Sequence, residues 1–310
     1  MGVLDALATA RALPYAPLAR TVRALLLDPS VSVPPRIVQP LGGTGSLFVM
    51  PASDREVAIT KLITFVADNP SRGLPAIQGS VLVFDVPSGR RLALLDGPTV
   101  TARRTAAVSL LAAMELAPRP AGPLLIVGAG VQGHSHLEAF VQGLGVRQVR
   151  VASRSADSAR ALVDHARTLG VQAEHAPDAD AALAECPLVV TCTSAQAIAL
   201  RGTPRDDALV CAVGAFTPRM VEWAPSVCRH IAAHGRVVVD TRDADHEAGD
   251  LLQAGLDVAA FPTLGDIVRQ GLPRRSGPVF FKSCGWAGWD LAAARLLVAS
   301  TKGLKYSSRA

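Results

Sequence analysis

The sequence predicts an α/β protein with two domains, and three observations support this prediction. The chain has 310 residues, of which 49% are hydrophobic, so it is long enough for two domains and can bury a large core. A proline-rich segment at 117–123 indicates a domain junction. Before it, apolar runs are rich in β-branched and aromatic residues, whereas after it strand-like runs alternate with helical patterns, which is typical of a parallel sheet.

The segment before the junction is predicted to form a β-rich domain. Strand-like runs cover 47–50, 57–66 and 80–84, and a turn signal follows the last of them at 87–89. From 99 to 116, small and apolar residues recur near the helical period, with Thr99 or Thr101 as the candidate N-cap. This helix leads from the first domain into the junction.

The segment after the junction is predicted to form βαβ units. Its strand-like runs are 124–127, 148–152, 188–193, 209–213 and 236–240. Helical patterns separate these runs, which favours a parallel sheet. From 278 the sequence changes to a strand-like run at 279–281 and a helix rich in Ala and Leu at 290–298, and the pattern does not decide which domain this tail joins.

Composition and charge exclude several classes of protein. The formal net charge is +5, without the clusters of Lys and Arg that nucleic-acid binding requires, and the pair Arg274 and Arg275 is interpreted as a solvated surface feature. The number of cysteines, five, is odd, and no two of them form a CxxC pair. We therefore expect reduced thiols, no disulfide framework and no metal site. No apolar run is long enough for a signal region or a membrane span, so we expect a cytoplasmic protein with no membrane partner.

A glycine-rich segment at the start of the second domain predicts a dinucleotide-binding turn. Gly128, Gly130 and Gly133 form a GxGxxG pattern directly after an apolar strand-like run and at the start of a helical stretch. In a Rossmann fold these glycines permit the tight turn, the close approach of backbone to pyrophosphate and the packing of the helix, respectively. Because a helix N-terminus favours an anion, we predict that this segment, with Val131 and Gln132, binds a dinucleotide cofactor.

The end of the next predicted strand indicates which dinucleotide binds. About 20 residues after the glycine pattern, an NAD enzyme would carry an acidic residue against the ribose hydroxyls. This chain has Ser153, Arg154 and Ser155 instead. An arginine between two hydroxyl groups suits a 2′-phosphate through charge-assisted hydrogen bonds. NADPH is therefore the predicted cofactor, with NADH as the alternative.

Three cationic residues of the first domain lie among apolar or small neighbours: Arg36, Lys61 and Arg104. A charge in a hydrophobic strand is costly unless it finds a partner, and a substrate carboxylate would supply one. For each residue taken alone, a salt bridge or a side chain that reaches the solvent explains the charge equally well. Their spacing in the sequence does not show that they converge.

Four segments together give the chain a family resemblance. They are 59–62 (ITKL), 104–107 (RTAA), 128–132 (GAGVQ) and 279–283 (VFFKS). In this order and spacing they resemble the ornithine cyclodeaminase and mu-crystallin family, from about residue 36 to residue 295. The resemblance implies a β-rich α+β substrate-binding and dimerisation domain formed by 1–118 plus 278–310. A Rossmann NADP-binding domain, 119–277, would be inserted into it, and a homodimer would form through the β-rich part.

The resemblance also implies roles for individual residues. Arg36, Lys61 and Arg104 would face the substrate carboxylate beside the nicotinamide, with Arg104 and its neighbour Thr105 also near the cofactor phosphates. Further residues at the ends of later strands would line the dinucleotide: Thr191, Thr193 and Val213.

Two departures from the cyclodeaminase pattern narrow the substrate. The aspartate that assists ornithine deamination is replaced, since Gly214 is followed by Ala215 and Phe216, and no glutamate precedes Met50. Without these acids a second amino group of the substrate has no anchor. The segment 215–219 (AFTPR) resembles that of reductases of cyclic ketimines, so a ring with one carboxylate is the expected substrate.

These observations lead to one hypothesis and three alternatives. The chain is predicted to reduce pyrroline-2-carboxylate to proline, or piperideine-2-carboxylate to pipecolate, with NADPH. Arg36 and Arg104 would bind the carboxylate, Lys61 would supply the proton, and Gln78 would be a hydrogen-bonding neighbour. The alternatives are an ornithine cyclodeaminase, an alanine-type or opine-type dehydrogenase of the same family, and a non-catalytic NADPH-dependent protein that binds a small ligand.

Overall fold

The computed structural model describes residues 2–43, 45–271 and 277–307. The chain forms two compact units. Unit 1 comprises Met1–Arg104 and Trp286–Ala310, and unit 2 comprises Thr105–Gly285. The pair Arg274 and Arg275, interpreted from the sequence as a surface feature, lies outside the described residues.

Unit 1 is built on a mostly antiparallel sheet. Its strands are β1 (Val3–Leu4), β2 (Ile37–Pro40), β3 (Gly45–Ser53), β4 (Val57–Val66), β5 (Ile77–Asp85) and β6 (Arg91–Asp96). They lie in the order β1-β6-β5-β4-β3-β2, with β1 parallel to β6 and the other pairs antiparallel. Along β4 the buried residues alternate with more exposed ones, because successive side chains of a strand point to opposite faces of the sheet.

The N-terminal helices of unit 1 follow from their apolar spacing. The helices are α1 (Ala6–Ala12), α2 (Tyr15–Leu26) and the first part of α3 (Gly97–Leu116), and Asn69–Arg72 forms a short 3-10 helix. Helix α2 buries Tyr15, Leu18, Val22 and Leu25, which recur at intervals of three and four residues. Such spacing places one apolar stripe along a helix, and that stripe is packed against the rest of unit 1.

Unit 2 is built on a parallel sheet. Its strands are β7 (Leu124–Val127), β8 (Gln148–Ala152), β9 (Gln172–His175), β10 (Leu188–Thr191), β11 (Leu209–Ala212), β12 (Arg236–Val239) and β13 (Val279–Lys282). Its helices are α4 (Val131–Leu144), α5 (Ala156–Thr168), α6 (Ala179–Ala182), α7 (Pro225–His234), α8 (Ala244–Glu247), α9 (Gly249–Leu252) and α10 (Leu264–Gln270), with a 3-10 helix at Val258–Ala260.

The strand order of unit 2 is β12-β13-β11-β10-β7-β8-β9. The chain enters at β7, runs outward through β8 and β9, and then returns to β10 on the other side of β7. In an open parallel sheet, ligands bind at the carboxyl ends of the strands where the order reverses in this way. The predicted fold class, an α/β protein with a Rossmann unit and a β-rich α+β unit, is confirmed.

The boundaries between the units differ from those predicted at 118 and 278. They lie at Arg104 and Gly285. Helix α3 continues past Arg104 as a run of buried residues, 105–113, so its second part belongs to unit 2. Strand β13 pairs with both β11 and β12, so the tail completes the parallel sheet before it returns to unit 1. The proline-rich segment therefore marks only the loop between α3 and β7.

The C-terminal helix α11 (Ala287–Ser307) completes unit 1. It contacts α2 and strands β3 and β4, so it covers the buried face of the antiparallel sheet. Across residues 2–43, 45–271 and 277–307, no helix is both long and apolar enough to cross a membrane.

Candidate active site

The turn after β7 and the first turn of α4 each require a glycine because of the surrounding backbone. Gly128 has a φ of +115°, which L residues rarely adopt, and a Cβ there would lie 2.6 Å from the carbonyl oxygen of Cys192. A Cβ at Gly133 would lie 2.2 Å from the carbonyl oxygen of Gly128. The fold of unit 2 therefore needs both glycines, whether or not a ligand is bound.

Gly130 differs from these two glycines because the fold leaves space beside it. It is exposed, and among the described residues no atom beyond its chain neighbours lies within 4 Å of its Cβ position. Helix α4 begins at the next residue, Val131, which is 71% exposed, and the first N–H groups of a helix have no intrahelical acceptor. The pyrophosphate of a dinucleotide fits this space, since helix N–H donors favour an anion and a side chain at 130 would obstruct it.

The residues predicted to bind a 2′-phosphate follow β8 at the same edge of the sheet. Ser153 is half-buried, whereas Arg154 and Ser155 are exposed. Ser155 caps α5, since its side chain accepts a hydrogen bond from the backbone N–H of Ser158 at 3.2 Å. Arg154 Nη2 donates to Ser194 Oγ at 3.0 Å. An exposed guanidinium near hydroxyl groups and a helix N-terminus suits a phosphate, so the preference for NADPH stays a prediction that the geometry favours.

The other predicted cofactor residues differ in exposure. Thr193 and Val213 follow β10 and β11 and are half-buried, while Thr105 is buried in α3. Thr191 is fully buried at the end of β10, where its hydroxyl donates to the carboxylate of Glu222 at 3.0 Å. The structure therefore does not offer the Thr191 hydroxyl to a ligand, in contrast to the role that the resemblance implied. Its hydroxyl is used within unit 2.

In unit 1, two of the predicted cations, Lys61 and Arg104, contact the same carboxylate, that of Asp290. The alternation along β4 places Lys61 on the buried face of the sheet, which α11 covers. Lys61 Nζ lies 2.8 Å from Asp290 Oδ2, and Arg104 Nε lies 3.4 Å from Asp290 Oδ1. All three side chains are at least 90% buried. The half-buried Arg36 is close enough for its charge to act on Lys61.

The pKa of Lys61 is lowered to about 8. Burial is the main cause, because removal from water disfavours the charged form, and the positive charges of Arg104 and Arg36 act in the same direction. The carboxylate of Asp290 opposes them and raises the pKa. The positive charges of Arg36 and Arg104 therefore act on Lys61, and Asp290 is the carboxylate that opposes them. This excess of positive charge suits an anionic ligand, and a lysine with such a pKa can exchange a proton near neutral pH.

Asp290 is a residue of this site that was not predicted from the sequence. Its signal is an acidic residue in the otherwise apolar first two turns of a helix, because α11 begins AGWDLAAARLL. A buried carboxylate is costly without a partner, so that pattern indicates an ion pair. It does not identify the partner, which lies on a distant strand of unit 1.

The structure does not bring Gln78 to Lys61. In β5, Val81 pairs with Lys61, whereas Gln78 pairs with Thr64. Because side chains alternate along strands, Gln78 and Lys61 lie on opposite faces of the sheet, and Gln78 is exposed. In this register Gln78 is not the cross-strand neighbour of Lys61, and its role as a hydrogen-bonding neighbour in the site stays a prediction.

The neighbouring residues Arg103 and Arg104 have different surroundings. Arg103 stacks on the ring of Tyr15 at 3.9 Å and its Nε donates to the carbonyl oxygen of Leu13 at 2.7 Å. Arg104, one residue later on the helix, faces Asp290 instead. Arg103 therefore attaches α3 to the segment around α2, whereas Arg104 belongs to the buried group that it forms with Lys61 and Asp290.

Unit 2 contains further buried charges that the sequence did not predict. Asp240 Oδ2 accepts hydrogen bonds from Ser283 Oγ at 2.8 Å and from the N–H groups of Cys284 and Gly285, both at 2.9 Å. It therefore binds the chain just after β13. Glu222, Asp250 and Lys282 form a second buried group. Their only sequence signal is a charge among apolar neighbours.

The thiols show no activated arrangement in the described part of the chain, since burial raises the pKa of each of the five. The five cysteines are free, and burial raises the pKa of Cys284 well above its usual value. Among residues 2–43, 45–271 and 277–307, no three His, Cys, Asp or Glu side chains are grouped as metal ligands. The rings of His230 and His234 stack with centroids 4.5 Å apart.

The fold and the glycine turn define a class of protein, the dinucleotide-binding proteins of the Rossmann type. Residues 18–304 match the model of the ornithine cyclodeaminase/mu-crystallin family. The chain belongs to that family, and the resemblance inferred from four sequence segments is confirmed.

Similar proteins of this family are named reductases. A Delta(1)-pyrroline-2-carboxylate reductase of Burkholderia multivorans is 39% identical, over 94% of this chain and 94% of its own. A Delta(1)-pyrroline-2-carboxylate/Delta(1)-piperideine-2-carboxylate reductase of Azospirillum brasilense is 38% identical, over 94% of both chains. The ketimine reductase mu-crystallin of Mus musculus is 34% identical, over 87% of this chain and 85% of its own. This chain is an NAD(P)H-dependent oxidoreductase.

Solved structures show the same fold. A Delta(1)-pyrroline-2-carboxylate reductase of Thermococcus litoralis, in complex with NADH and L-proline, has a TM-score of 0.88 at 24% identity and covers 99% of this chain and 98% of its own. A probable ornithine cyclodeaminase of Bordetella pertussis has a TM-score of 0.81 at 26% identity and covers 98% of both chains.

Proposed function

We propose that this chain is an NADPH-dependent reductase of cyclic ketimine carboxylates. It would convert pyrroline-2-carboxylate to proline and piperideine-2-carboxylate to pipecolate. The observation that carries the proposal is the buried cluster of Lys61, Arg104 and Asp290, with Arg36 nearby and an excess of positive charge. The names of the relatives from Burkholderia multivorans and Azospirillum brasilense support this substrate class.

The residues of unit 1 would bind the substrate and move one proton. Arg104 and Arg36 would hold the ring carboxylate by charge-assisted hydrogen bonds. Lys61 Nζ, with a pKa of about 8, is mostly protonated at neutral pH and would give a proton to the imine nitrogen. Asp290 keeps Lys61 charged and in place through the contact of 2.8 Å.

The residues of unit 2 would bind the cofactor. Gly130 and the first turn of α4 would hold the pyrophosphate, and Arg154 with Ser153 and Ser155 would hold a 2′-phosphate. When bound, NADPH would supply a hydride to the imine carbon, and with the proton from Lys61 this would convert C=N into CH–NH.

The substrate body is expected to be small and apolar. Ala215, which is fully buried, and the half-buried Phe216 follow β11 at the position where cyclodeaminases carry an acid. A second amino group would find no acidic partner there, so ornithine is disfavoured. A cyclic imino acid with a single carboxylate needs no such partner.

Oligomeric state and location are part of the same proposal. The chain would form a homodimer through the sheet of unit 1, whose outer face exposes apolar side chains. Five free cysteines suit a reducing compartment, so the cytoplasm is the proposed location.

Steady-state kinetics test the proposed reaction. Oxidation of NADPH and of NADH would be followed with pyrroline-2-carboxylate, with piperideine-2-carboxylate, and with pyruvate plus ammonia. Ornithine would be tested separately, with the oxidised cofactors. We expect the highest kcat/KM with a cyclic imine and NADPH. Preference for pyruvate and ammonia would show an alanine-type dehydrogenase, and ornithine consumption a cyclodeaminase. NADPH binding without turnover of any substrate would favour a binding protein.

A further inference from the structure

Glu222 holds the carboxyl ends of two adjacent strands of the parallel sheet. Its side chain is fully buried, with a relative exposure of 0%. The Oε1 atom accepts from the N–H of Thr193 at 2.7 Å, just after β10. The Oε2 atom accepts from the N–H of Gly214 at 2.8 Å, just after β11, and from Thr191 Oγ1 at 3.0 Å. One carboxylate therefore receives three donors from two strand ends.

Neighbouring groups fix the position of Glu222. Asp250 Oδ1 accepts from the backbone N–H groups of Glu222 and Trp223, at 2.6 and 3.0 Å. Lys282 Nζ lies 2.8 Å from Asp250 Oδ2 and balances its charge. Trp223 Nε1 can only donate, and it donates to Thr191 Oγ1 at 3.2 Å, so the Thr191 hydroxyl is free to donate to Glu222. All of these side chains are fully buried.

The strand end that Glu222 holds is also the surface on which the glycine turn rests. The Cβ position of Gly128 lies 2.6 Å from the carbonyl oxygen of Cys192 and 3.1 Å from Thr193 N. Cys192 Sγ donates to the carbonyl oxygen of Gly128 at 3.2 Å. A displacement of Thr193 would therefore move the backbone of the turn.

The packing at the second strand end is equally close. A Cβ at Gly214 would lie 2.3 Å from Glu222 Oε1 and 2.5 Å from the carbonyl oxygen of Thr193. The absence of a side chain at 214 is thus what lets the carboxylate reach both strands. Thr193 and Val213, the residues predicted to line the dinucleotide, flank these contacts.

We propose that Glu222 is a positioning residue for cofactor binding. It fixes the ends of β10 and β11, and through β10 the glycine turn, in the arrangement that accepts the dinucleotide. This inference rests on the proposed NADPH-dependent function. A carboxylate is required because all three partners donate, whereas an amide offers one acceptor oxygen and a donor NH₂ group. In Glu222→Gln an NH₂ group must face at least one N–H group.

The test compares Glu222→Gln with a variant that destabilises the same unit elsewhere. Ile231 on α7 is fully buried in the hydrophobic core that also contains Trp223, and its side chain makes no hydrogen bond, so Ile231→Ala is the control. Both variants should lower Tm. In Glu222→Gln we expect the Kd and KM for NADPH to rise about 10-fold, with a smaller change in the KM for the imino acid. In Ile231→Ala both constants should stay within about 2-fold of the wild type.

Two outcomes would overturn the inference, and a third would overturn the proposed function instead. If Glu222→Gln binds NADPH as tightly as Ile231→Ala, Glu222 has no positioning role. If Glu222→Gln does not fold, Thr191→Val, which removes one donor to the carboxylate, decides: a raised Kd for NADPH supports the inference and an unchanged one overturns it. A wild-type protein that binds no nicotinamide cofactor would contradict the proposed function itself.

Discussion

Asp290 is the side chain that Lys61 and Arg104 share. It lies on the face of α11 that covers the antiparallel sheet, and both of its oxygens face cations. Removal of one partner from a buried ion pair leaves an uncompensated charge and costs about 3–5 kcal/mol. The effect on the pKa of Lys61 can be separated from this loss of stability, because it appears in the pH dependence of the rate.

We predict that Asp290→Asn shifts the alkaline limb of the pH–rate profile to lower pH. The carboxylate of Asp290 raises the pKa of Lys61 against the effect of burial, so its loss should move that pKa below 8. If protonated Lys61 is the donor, kcat/KM falls as pH rises through this pKa, and the fall should begin earlier in the variant. The measurement is kcat/KM for pyrroline-2-carboxylate as a function of pH.

Asp28→Asn is the matched control for that experiment. Asp28 also pairs with an arginine in unit 1, since its Oδ2 lies 2.6 Å from Arg295 Nη2, but it has no contact with Lys61. Its variant should keep the alkaline limb of the wild type. An Asp290→Asn profile that superimposes on that of the control would rule out Lys61 as the proton donor.

Arg154 is predicted to select NADPH over NADH. Its guanidinium is exposed and donates to the hydroxyl of Ser194, which a 2′-phosphate can replace as the acceptor. In Arg154→Ala the ratio of kcat/KM for NADPH to that for NADH should fall about 10-fold or more, because a charge-assisted pair contributes about 1.5–3 kcal/mol.

Arg150→Ala provides the comparison for Arg154. Arg150 lies on β8, the strand that Arg154 follows, and pairs with Glu174 and Glu185 on the surface. Its removal changes the net charge by the same amount without touching the predicted phosphate site. If both variants retain the cofactor preference of the wild type, the assignment of Arg154 fails.

The three glycines of the GxGxxG segment have two different functions. Two are required by the fold, and one leaves space for the cofactor. Gly128 and Gly133 are needed by the backbone and by close packing, whereas the Cβ position of Gly130 is open. These differences give opposite expectations for stability and for binding. The GxGxxG motif already predicted these three roles, and the structure adds the distances that separate a glycine needed by the fold from one that leaves space for the cofactor.

We predict that Gly130→Ala leaves the free protein stable but weakens cofactor binding. The added methyl group meets no atom of the described residues within 4 Å beyond its neighbours, so Tm without cofactor should change by less than about 2 °C. The methyl group would occupy the place of the pyrophosphate, so the rise in Tm caused by saturating NADPH should be largely lost.

Gly133→Ala should behave in the opposite way. Its Cβ would lie 2.2 Å from a carbonyl oxygen, so Tm should fall already in the absence of cofactor. Thermal unfolding of both variants, with and without NADPH, checks the pair of expectations. A Gly130→Ala variant that NADPH stabilises as much as the wild type would show that the pyrophosphate binds elsewhere.

The outer face of the unit 1 sheet is the surface through which two copies are predicted to associate. Ile37, Val49 and Leu62 lie opposite one another on β2, β3 and β4. Ile37 is 60% exposed and Leu62 is 41% exposed. Apolar side chains aligned across an exposed sheet face favour association, because contact with a second copy removes them from water.

We predict that the wild type is a dimer and that Leu62→Glu makes it monomeric. A charge at the centre of this face would have to be buried without a partner in the dimer. Val86→Glu is the control, since Val86 is also 41% exposed but lies in the turn after β5. Sedimentation equilibrium measures the mass of each protein. A monomeric wild type, or a Leu62→Glu variant that stays dimeric, would contradict the predicted interface.

The sequence by itself determined the features that depend on neighbours along the chain. These are the α/β class, the alternating strands and helices, the glycine turn after β7, and the presence of Arg154 where an NAD enzyme would carry an acidic residue. Each is encoded by local periodicity or by a short motif whose residues act on the same backbone segment. The family was also recognisable from short segments and their order.

Only the tertiary structure decided which distant residues meet. It paired Lys61 with Asp290, placed Gln78 on the opposite face, buried Thr191 against Glu222 and moved the unit boundary into α3. The physical reason is that these contacts depend on how strands and helices pack and in what register. A charged residue among apolar neighbours in the sequence indicates that a buried charge needs a partner. Which residue that partner is depends on the fold.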